Sequence, residues 1–506
     1  MAGKRGRLVA AAVAALALGA PAAAQAYDVG AATRDITPEG IVNLGGFGLG
    51  TGALVPDAII GRGGQGAAAD ERIGTRAVVF SRKREAVAIA DIETQGMFAA
   101  YEDGPYGLHD IAQSVERATR GRLPADHVLI ASDHSHSAPD TIGAWGGVSE
   151  DYLKHIHDQT VAAIVAAWET RRDADVVAGH SDASDLIYNQ SCSEALNQDK
   201  EPAYPGPEVC ATPGKDGMVR VVQATDEKDG SVIATFMAYA AHATAGGGNG
   251  LHGDWPQFVS DAMAARYGGV GLAMVGALGG TQPCRPACSF TNPANPGYAD
   301  GLPRKTAIVT NYMAHVESAL GAATPVKGPL AAAKRFIREP ITGPAVVALF
   351  TVGSHNGARL LRSRQNPWVV GTTIRTVASA VRVGGVLFAG TPGEGFPAIG
   401  NGVRDAIADE QEVIQLGLAN DQLGYLIAPV HYVPVIAAEV PVNDNIIFNV
   451  SPTIGDHVMC ADIALALETG FEGALPAQCA GYEAADSAGD PVAAVPAGGV
   501  PDPVVK

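Results

Sequence analysis

Two histidines separated by one residue, His134 and His136, follow a short apolar segment at 127–132. If that segment is a β-strand that continues, both imidazoles point to the same side, because side chains alternate along a strand. Two imidazoles presented together at a strand end can bind a metal ion, or can combine one metal ligand with a proton-transfer group. The alternative is a solvated polar turn, and the H-x-H spacing after an apolar strand favours the site.

A third imidazole, His242, ends the apolar segment 232–241 and precedes the glycine run 246–248. Glycines allow the backbone to turn sharply and to approach a ligand closely. A lone histidine at a strand end is nevertheless more often a hydrogen-bonded core residue. Asp254 follows in a sequence typical of a helix start, so it either caps that helix or serves the site.

A carboxylate, Glu394, lies in the Gly/Pro-rich turn 390–397, directly after the strand-like segment 385–389. A tight turn at a strand end would hold the carboxylate rigidly, as a metal ligand must be held. The same charge would also be favoured at a helix N-terminus, and the sequence leaves both interpretations open. The later segment 417–425 indicates by itself only a loop that ends in an aromatic residue, Tyr425.

The elements that must position these residues alternate between strands and helices. The clearest helix is predicted at 150–170, where five residues fall on one face: Leu153, Ile156, Thr160, Ile164 and Ala167. We therefore predict a mixed α/β fold, with mixed sheets flanked by helices and an active site at strand ends and glycine-rich loops. Residues 27–480 show no internal boundary and are predicted to form one catalytic domain, and 481–506 are predicted to be a disordered tail.

The composition of the 506-residue chain excludes several classes of protein. Apolar residues make up 47% and charged residues 17%, which excludes disorder over most of the length. Lys and Arg number 35 against 53 Asp and Glu, a net charge of −18. A nucleic-acid partner is not expected, because phosphate contacts need a basic surface. The chain has no H-E-x-x-H and no G-x-S-x-G sequence, which disfavours the common zinc-protease and α/β-hydrolase classes.

The first 26 residues are predicted to be a cleaved signal peptide. Three basic residues precede the apolar stretch 8–20, and Ala24-Gln25-Ala26 provides a small-residue cleavage site. No later apolar run is long enough to span a bilayer, so we expect a secreted or periplasmic protein with at most peripheral membrane contact. In an oxidising compartment the six cysteines should pair, and the pairing local in sequence is Cys192–Cys210, Cys284–Cys288 and Cys460–Cys479. A zinc–thiolate cluster is the disfavoured alternative.

In their order and separations, these segments resemble the neutral (non-lysosomal) ceramidase family over roughly residues 28–460. Residues 30–38 and 45–48 are similar to that family's G-x-x-x-x-D-I-T-P and G-[YF] start. The later motifs of the family are G-T-H-T-H-S-G-P, H-G-T, G-D, P-G-E and G-L-[SA]-N-x-x-x-x-Y, and the similar segments here are 132–139, 242–244, 253–254, 392–394 and 417–425.

The resemblance implies a zinc amidohydrolase that cleaves the N-acyl bond of ceramide to give sphingosine and a fatty acid, with a zinc-bound water as the nucleophile. It implies that the zinc is held by four residues: His134, His242, Glu394 and Tyr425. His136 would stand beside the metal, where it polarises the amide carbonyl or transfers a proton.

Two positions depart from the family's pattern, and both concern the substrate. Gln190 stands where the family has the arginine of N-R-S-P, which assists at the oxyanion. Thr281 stands where the family has the substrate-binding serine of G-D-V-S-P-N. Gln190 and Thr281 are therefore the implied catalytic residues besides His136. The chain is also expected to end before the C-terminal β-sandwich domain that family members usually carry.

The leading hypothesis is thus an exported zinc hydrolase whose substrate is ceramide or a related N-acyl lipid. Two alternatives remain. One is a zinc hydrolase of another ester, lactone or amide, and the other is a non-catalytic exported binding protein with a vestigial metal site.

Overall fold

The structure is a computed structural model that describes residues 27–40, 42–46, 71–101, 104–143, 147–189, 215–246, 250–283, 304–343, 369–370, 373–408, 410–427 and 449–482. The predicted signal segment 1–26 and Gln190 lie outside the described residues, as do Cys192, Cys210, Cys284 and Cys288. Of the predicted tail, Gly481 and Tyr482 are described, and the Tyr482 ring packs 5.0 Å from the His457 ring. Tyr482 is therefore packed against the rest of the described chain.

The strands lie, in chain order, at β1 Tyr27–Asp35, β2 Gly74–Arg82, β3 Glu85–Ile92, β4 Val128–Ser132, β5 Arg172–Asp182, β6 Ile187–Asn189, β7 Met218–Asp226, β8 Val232–Tyr239, β9 Val270–Val275, β10 Thr281–Pro283, β11 Thr324–Pro325, β12 Leu330–Pro340, β13 Val369–Val370, β14 Thr373–Val383, β15 Val386–Gly390, β16 Glu394–Gly395, β17 Glu412–Leu416 and β18 Tyr425–Leu426. The helices are α1 Leu108–Ala118, α2 Glu150–Glu169, α3 Asp254–Tyr267, α4 Arg304–Gly321, α5 Pro397–Ala406 and α6 Ile454–Glu468. Within the described ranges, no helix is both long and apolar enough to cross a membrane.

Two sheets carry the fold. In the first, the strand order is β4-β3-β2-β1-β5-β7-β8-β9, with β11 paired to β5. Its inner neighbours are antiparallel, whereas the end pairs β3–β4 and β8–β9 are parallel. The second sheet has the order β12-β14-β15-β17, with β13 paired to β14 and a parallel β15–β17 pair. The predicted mixed α/β fold with mixed sheets and flanking helices is confirmed.

The largest apolar core lies between the two sheets. Val78 and Ile89 from the first sheet and Val381 and Leu416 from the second belong to one buried cluster. Across this core the rings of Phe236 and Phe388 meet edge to face, with centroids 5.3 Å apart. Helices α1 and α2 cover one part of the first sheet, α3 and α4 cover another, and α5 and α6 cover the second sheet. The sheets therefore form a rigid double layer on which loops can be fixed precisely.

Helix α2 illustrates how the sequence determines an element. Its N-cap is Ser149, whose hydroxyl oxygen accepts a hydrogen bond from the backbone N–H of Tyr152. The predicted apolar face is confirmed, because all five residues that we placed on it are buried. That face packs against β1 and β2.

The carboxyl ends of four strands supply the candidate site. β4 leads into His134 and His136, and β8 leads into His242. In the second sheet, β15 leads into Glu394, and β17 leads into the loop that ends at Tyr425. These four strands belong to the parallel pairs of the two sheets, and each of those pairs directs two carboxyl ends to the same edge.

Cys460 and Cys479 form a disulfide, as predicted, between α6 and the segment that follows it. The bond closes a loop with a sequence separation of 19. A loop of this length should stabilise the folded protein by about 3 kcal/mol, mainly by restricting the unfolded chain. The Cys460→Ser/Cys479→Ser double variant should therefore lose about that free energy of unfolding in denaturant titrations. Equal stability of the two proteins under oxidising conditions would contradict the prediction, and both should behave alike in reductant.

Candidate metal centre

The loop after β4 brings the two histidines of the H-x-H sequence together. β4 ends at Ser132, and His134 has a φ of +58°, in the left-handed region that residues other than glycine seldom adopt. The expectation of a continuing strand is therefore wrong, and a turn aligns the imidazoles instead. The Nε2 atoms of His134 and His136 lie 3.3 Å apart.

Hydrogen bonds from the segments after β8 hold this turn in place. The Ser135 hydroxyl donates to the carbonyl oxygen of His252 over 2.8 Å. The backbone N–H of His136 donates to the carbonyl oxygen of Ala243 over 3.1 Å. Because Ala243 directly follows His242, the same contacts that fix the H-x-H turn also fix its distance from the third histidine.

Glu394 and Tyr425 reach the same point from the second sheet. They are direct partners in the parallel pair β16–β18. The Oε2 atom of Glu394 lies 3.0 Å from His242 Nε2 and 3.3 Å from His134 Nε2. The Tyr425 hydroxyl lies 3.5 Å from His242 Nε2. Residues from four separate segments therefore converge, and each lies within 3.5 Å of at least one other.

Backbone carbonyls determine which ring nitrogens face this point. His134 Nδ1 donates to the carbonyl oxygen of Gln95, and His242 Nδ1 donates to that of Thr281, each over 2.7 Å. In a neutral imidazole, the Nε2 atom then carries the lone pair. Metal-binding histidines characteristically donate their other ring N–H to a carbonyl or carboxylate in this way.

The converging atoms fit a small cation. Two Nε2 lone pairs and a carboxylate oxygen repel one another at these distances unless a positive charge lies among them. Zn–N and Zn–O bonds of about 2.0–2.1 Å in a tetrahedron separate neighbouring ligand atoms by roughly 3.3 Å. The observed separations of 3.0 and 3.3 Å around Glu394 match that spacing.

His136 belongs to the same group by distance. The nitrogens of His134, His136 and His242 lie within 4.8 Å of one another, and these three form the one such group of potential ligands in the described part of the chain. His136 is the most exposed of the three, since His134 and His242 are buried. The geometry therefore allows two donor sets, one with His136 as a ligand and one with Glu394 and Tyr425 completing the set.

The electrostatics keep Glu394 ionised. Burial by itself would raise its pKa, but His134 and His242 hold the pKa well below the ordinary value for a glutamate. Burial likewise opposes the charged form of His134, yet the Glu394 carboxylate raises the pKa of that imidazole. The neighbouring Asp133 behaves differently, because burial, followed by the charges of Asp91 and Glu93, raises its pKa well above the ordinary value. Glu394 thus supplies the negative charge of the site.

The structure places the other candidate residues around this centre. Asp254 accepts hydrogen bonds from the backbone N–H groups of Trp255 (2.7 Å) and Ala245 (3.0 Å), so it anchors the start of α3 and the loop after His242. The Thr281 hydroxyl donates to the carbonyl oxygen of Leu278 over 2.8 Å. Thr281 therefore contacts the site through its carbonyl oxygen.

Gln190 lies outside the described residues, but its neighbour in the chain is placed. Asn189 is buried and pairs with Thr281 in the two-stranded sheet β6–β10. Sequence reasoning missed Gln95, which has no distinctive motif. The signal that could have indicated it is its position just after β3, the strand that lies parallel to β4.

The loop 417–425 contains a buried carboxyl group, Asp421, that should make stability depend on pH. Burial raises its pKa from 3.8 to about 6, although backbone N–H groups and Thr376 donate hydrogen bonds to it. Because the folded pKa exceeds the unfolded one, the contribution of the neutral form is complete below about pH 4 and is lost as the pH rises through about 6. Over this pH range the free energy of unfolding of the native protein should therefore fall by about 3 kcal/mol. In the Asp421→Asn variant, which cannot ionise at this position, that decline should be absent.

Denaturant unfolding of both proteins between about pH 3.5 and pH 7 measures this difference. Parallel stability curves for the native protein and the asparagine variant would contradict the assignment.

Comparisons with known proteins bear on the fold. No family model matches the chain, and no curated protein matches it. Among solved structures, the neutral ceramidase from Pseudomonas aeruginosa is similar, with a TM-score of 0.65, 17% sequence identity, and coverage of 90% of this chain and 77% of that one. A ceramidase complexed with C2 is similar with a TM-score of 0.65 and 16% identity, covering 90% of this chain and 78% of that one. This protein has the fold of the neutral ceramidases.

Proposed function

We propose that the protein is a zinc-dependent amidohydrolase that cleaves the N-acyl bond of ceramide or a related N-acyl lipid, releasing a fatty acid and a sphingoid or similar amine. One observation carries the proposal, namely the convergence of His134, His242, Glu394 and Tyr425 at strand ends of a neutral ceramidase fold. The zinc hydrolases of other amides, esters or lactones are the competing class, because the same centre would serve them.

In this proposal the four converging residues are the zinc ligands. His134 and His242 bind through Nε2, since their Nδ1 atoms are held by backbone carbonyls. Glu394 contributes a full negative charge, and Tyr425 approaches from the same short strand pair. Zinc in such a set lowers the pKa of a bound water to about 7 and polarises a carbonyl oxygen.

His136 is proposed to act on the amide beside the metal. Its Nε2 atom lies 3.3 Å from that of His134, while its ring is the most accessible of the three. From there it can donate a hydrogen bond to the acyl oxygen as negative charge develops, or pass a proton to the leaving amine. Gln190 is proposed as a second, neutral donor to the oxyanion. Thr281 is proposed to act indirectly, by fixing the proposed zinc ligand His242 through its carbonyl oxygen.

The proposed substrate also fits the expected location of the protein. We propose that residues 1–26 direct export and that the enzyme meets its lipid substrate through peripheral contact with a membrane or dispersed lipid. A net charge of −18 argues against binding to anionic lipid surfaces by charge alone, so substrate recognition should depend on the acyl chain and the amide.

A substrate panel tests the function. Purified protein loaded with zinc would be assayed on a short-chain ceramide, the corresponding O-acyl ester, a simple N-acyl amine and a lactone. We expect fatty-acid release from the ceramide, with the simple N-acyl amine slower. Rapid ester or lactone hydrolysis without release from ceramide would assign the site to another substrate class. Stoichiometric zinc without any hydrolysis would favour the vestigial binding protein.

A further inference from the structure

A short segment at 42–46, here called the strap, crosses the H-x-H turn. Leu44 forms an isolated antiparallel β-bridge with Pro139. The backbone N–H of Gly45 donates to the carbonyl oxygen of Ala138 over 3.1 Å, and that of Asp140 donates to the carbonyl oxygen of Asn43 over 2.8 Å. The strap is therefore fixed to the residues that directly follow His136.

Gly46, the last residue of the strap, lies directly against the imidazole ring of His136. Gly46 has a φ of +95°, and a Cβ atom added to it would lie 2.3 Å from Cγ and 2.5 Å from Cδ2 of His136. The His136 ring also meets the rings of His134 and His242, with centroids 4.9 and 5.8 Å away. A ring displaced from the strap would therefore change its position relative to the other two histidines.

We propose that Gly46 is a positioning residue that fixes His136 Nε2 beside the metal centre. The effect on rate rests on the function proposed above, whereas the effect on the ring is independent of it. A side chain at position 46 would displace the imidazole that handles the acyl oxygen or the proton. It would leave the Nδ1 hydrogen bonds of His134 and His242 in place, so metal binding should survive.

The neighbouring glycine provides a contrast. A Cβ atom on Gly45 would lie 2.5 Å from Cγ of Gln95, the residue whose carbonyl oxygen holds His134. Gly45→Ala should therefore disturb a metal ligand and weaken zinc binding, whereas Gly46→Ala should not. Substitutions at the two adjacent glycines of the strap should thus affect two different histidines.

A double-mutant cycle tests the proposal. Gly46→Ala should lower kcat/KM roughly 10- to 100-fold with unchanged zinc content, because small misplacements of a catalytic group cost that much. In a His136→Ala background the same change should alter kcat/KM less than about twofold, because the group that it misplaces is gone. Gly121→Ala is the control, since Gly121 has a φ of +71° with no atom within 4 Å of an added Cβ. It should lower stability alone.

A second readout does not depend on turnover. In zinc-loaded protein with ¹⁵N-labelled histidine, Gly46→Ala should shift the imidazole signals of His136 and leave those of His134 and His242 nearly unchanged. If Gly46→Ala fails to fold, Leu44→Ala takes its place, because it loosens the strap without adding an atom. Leu44→Ala should shift the same His136 signals. Unchanged His136 signals, or full additivity with His136→Ala, would overturn the proposal. Absence of turnover with shifted His136 signals would instead contradict the proposed function alone.

Discussion

Replacing His242 with alanine should remove stoichiometric zinc and abolish hydrolysis of every substrate that the native protein cleaves. The Nε2 atom of this fully buried residue lies 3.0 Å from Glu394 Oε2, and its Nδ1 atom is held by Thr281. A site with about four ligands that loses one imidazole also leaves the buried Glu394 carboxylate with only one of its two imidazole partners. His134→Ala should have the same effect for the same reason. Elemental analysis of the purified variants, combined with fatty-acid release, measures both effects.

His180→Ala is the matched control, because His180 is a partly exposed histidine on β5 that pairs with Glu412. It should retain zinc and activity. Full zinc occupancy in the His242 or the His134 variant would remove that residue from the ligand set.

His136→Ala should keep the metal and lose rate, on the order of 10²- to 10³-fold, if its imidazole stabilises the oxyanion. His134 is held between the carbonyl oxygen of Gln95 and the carboxylate of Glu394, as a ligand would be. His136 instead lies beside His134, with its Nε2 atom 3.3 Å from that of His134. Zinc content and kcat should be measured on the same sample. Loss of zinc would instead place His136 among the ligands, as the grouping of three histidines allows. His136→Gln, which retains a donor, should recover part of the rate if the hydrogen bond is what matters.

The sequence could identify the individual segments because each carries a local signal. Apolar runs that end in polar or glycine-rich turns predicted the strand ends at His134, His242 and Glu394. The apolar face of α2 was predictable for the same reason, because helical periodicity is a property of neighbouring residues. The pairing of Cys460 with Cys479 followed from their closeness in the chain.

The assembly of those segments could not be read from spacing. Glu394 meets Tyr425 because β15 and β17 are parallel neighbours and lead into the β16–β18 pair. Both meet the histidines because two separate sheets pack through a shared core. Such contacts depend on packing between segments far apart in sequence, for which one chain carries no local pattern. The resemblance to the ceramidase family, rather than periodicity, suggested that Tyr425 belongs with the others.

The backbone conformation and the backbone contacts of the site could not be predicted from the sequence either. The H-x-H pair suggested an alternating strand, but His134 adopts a left-handed conformation and the turn does the aligning. Thr281 stands where the family has a substrate-binding serine, but its hydroxyl is bonded to Leu278 and its carbonyl oxygen holds His242. Gln95 acts through its carbonyl oxygen as well. Any residue type can supply a carbonyl oxygen, so residue identity gives no sign of such a role.

The most direct test of the zinc amidohydrolase assignment is a single preparation measured three times. Zinc content and fatty-acid release from a short-chain ceramide would be determined as purified, after treatment with a chelator, and after zinc is added back. We predict stoichiometric zinc with release at the start, loss of both after chelation, and recovery of both with zinc. Release that persists in zinc-free protein, or stoichiometric zinc that never supports release from ceramide, would contradict it.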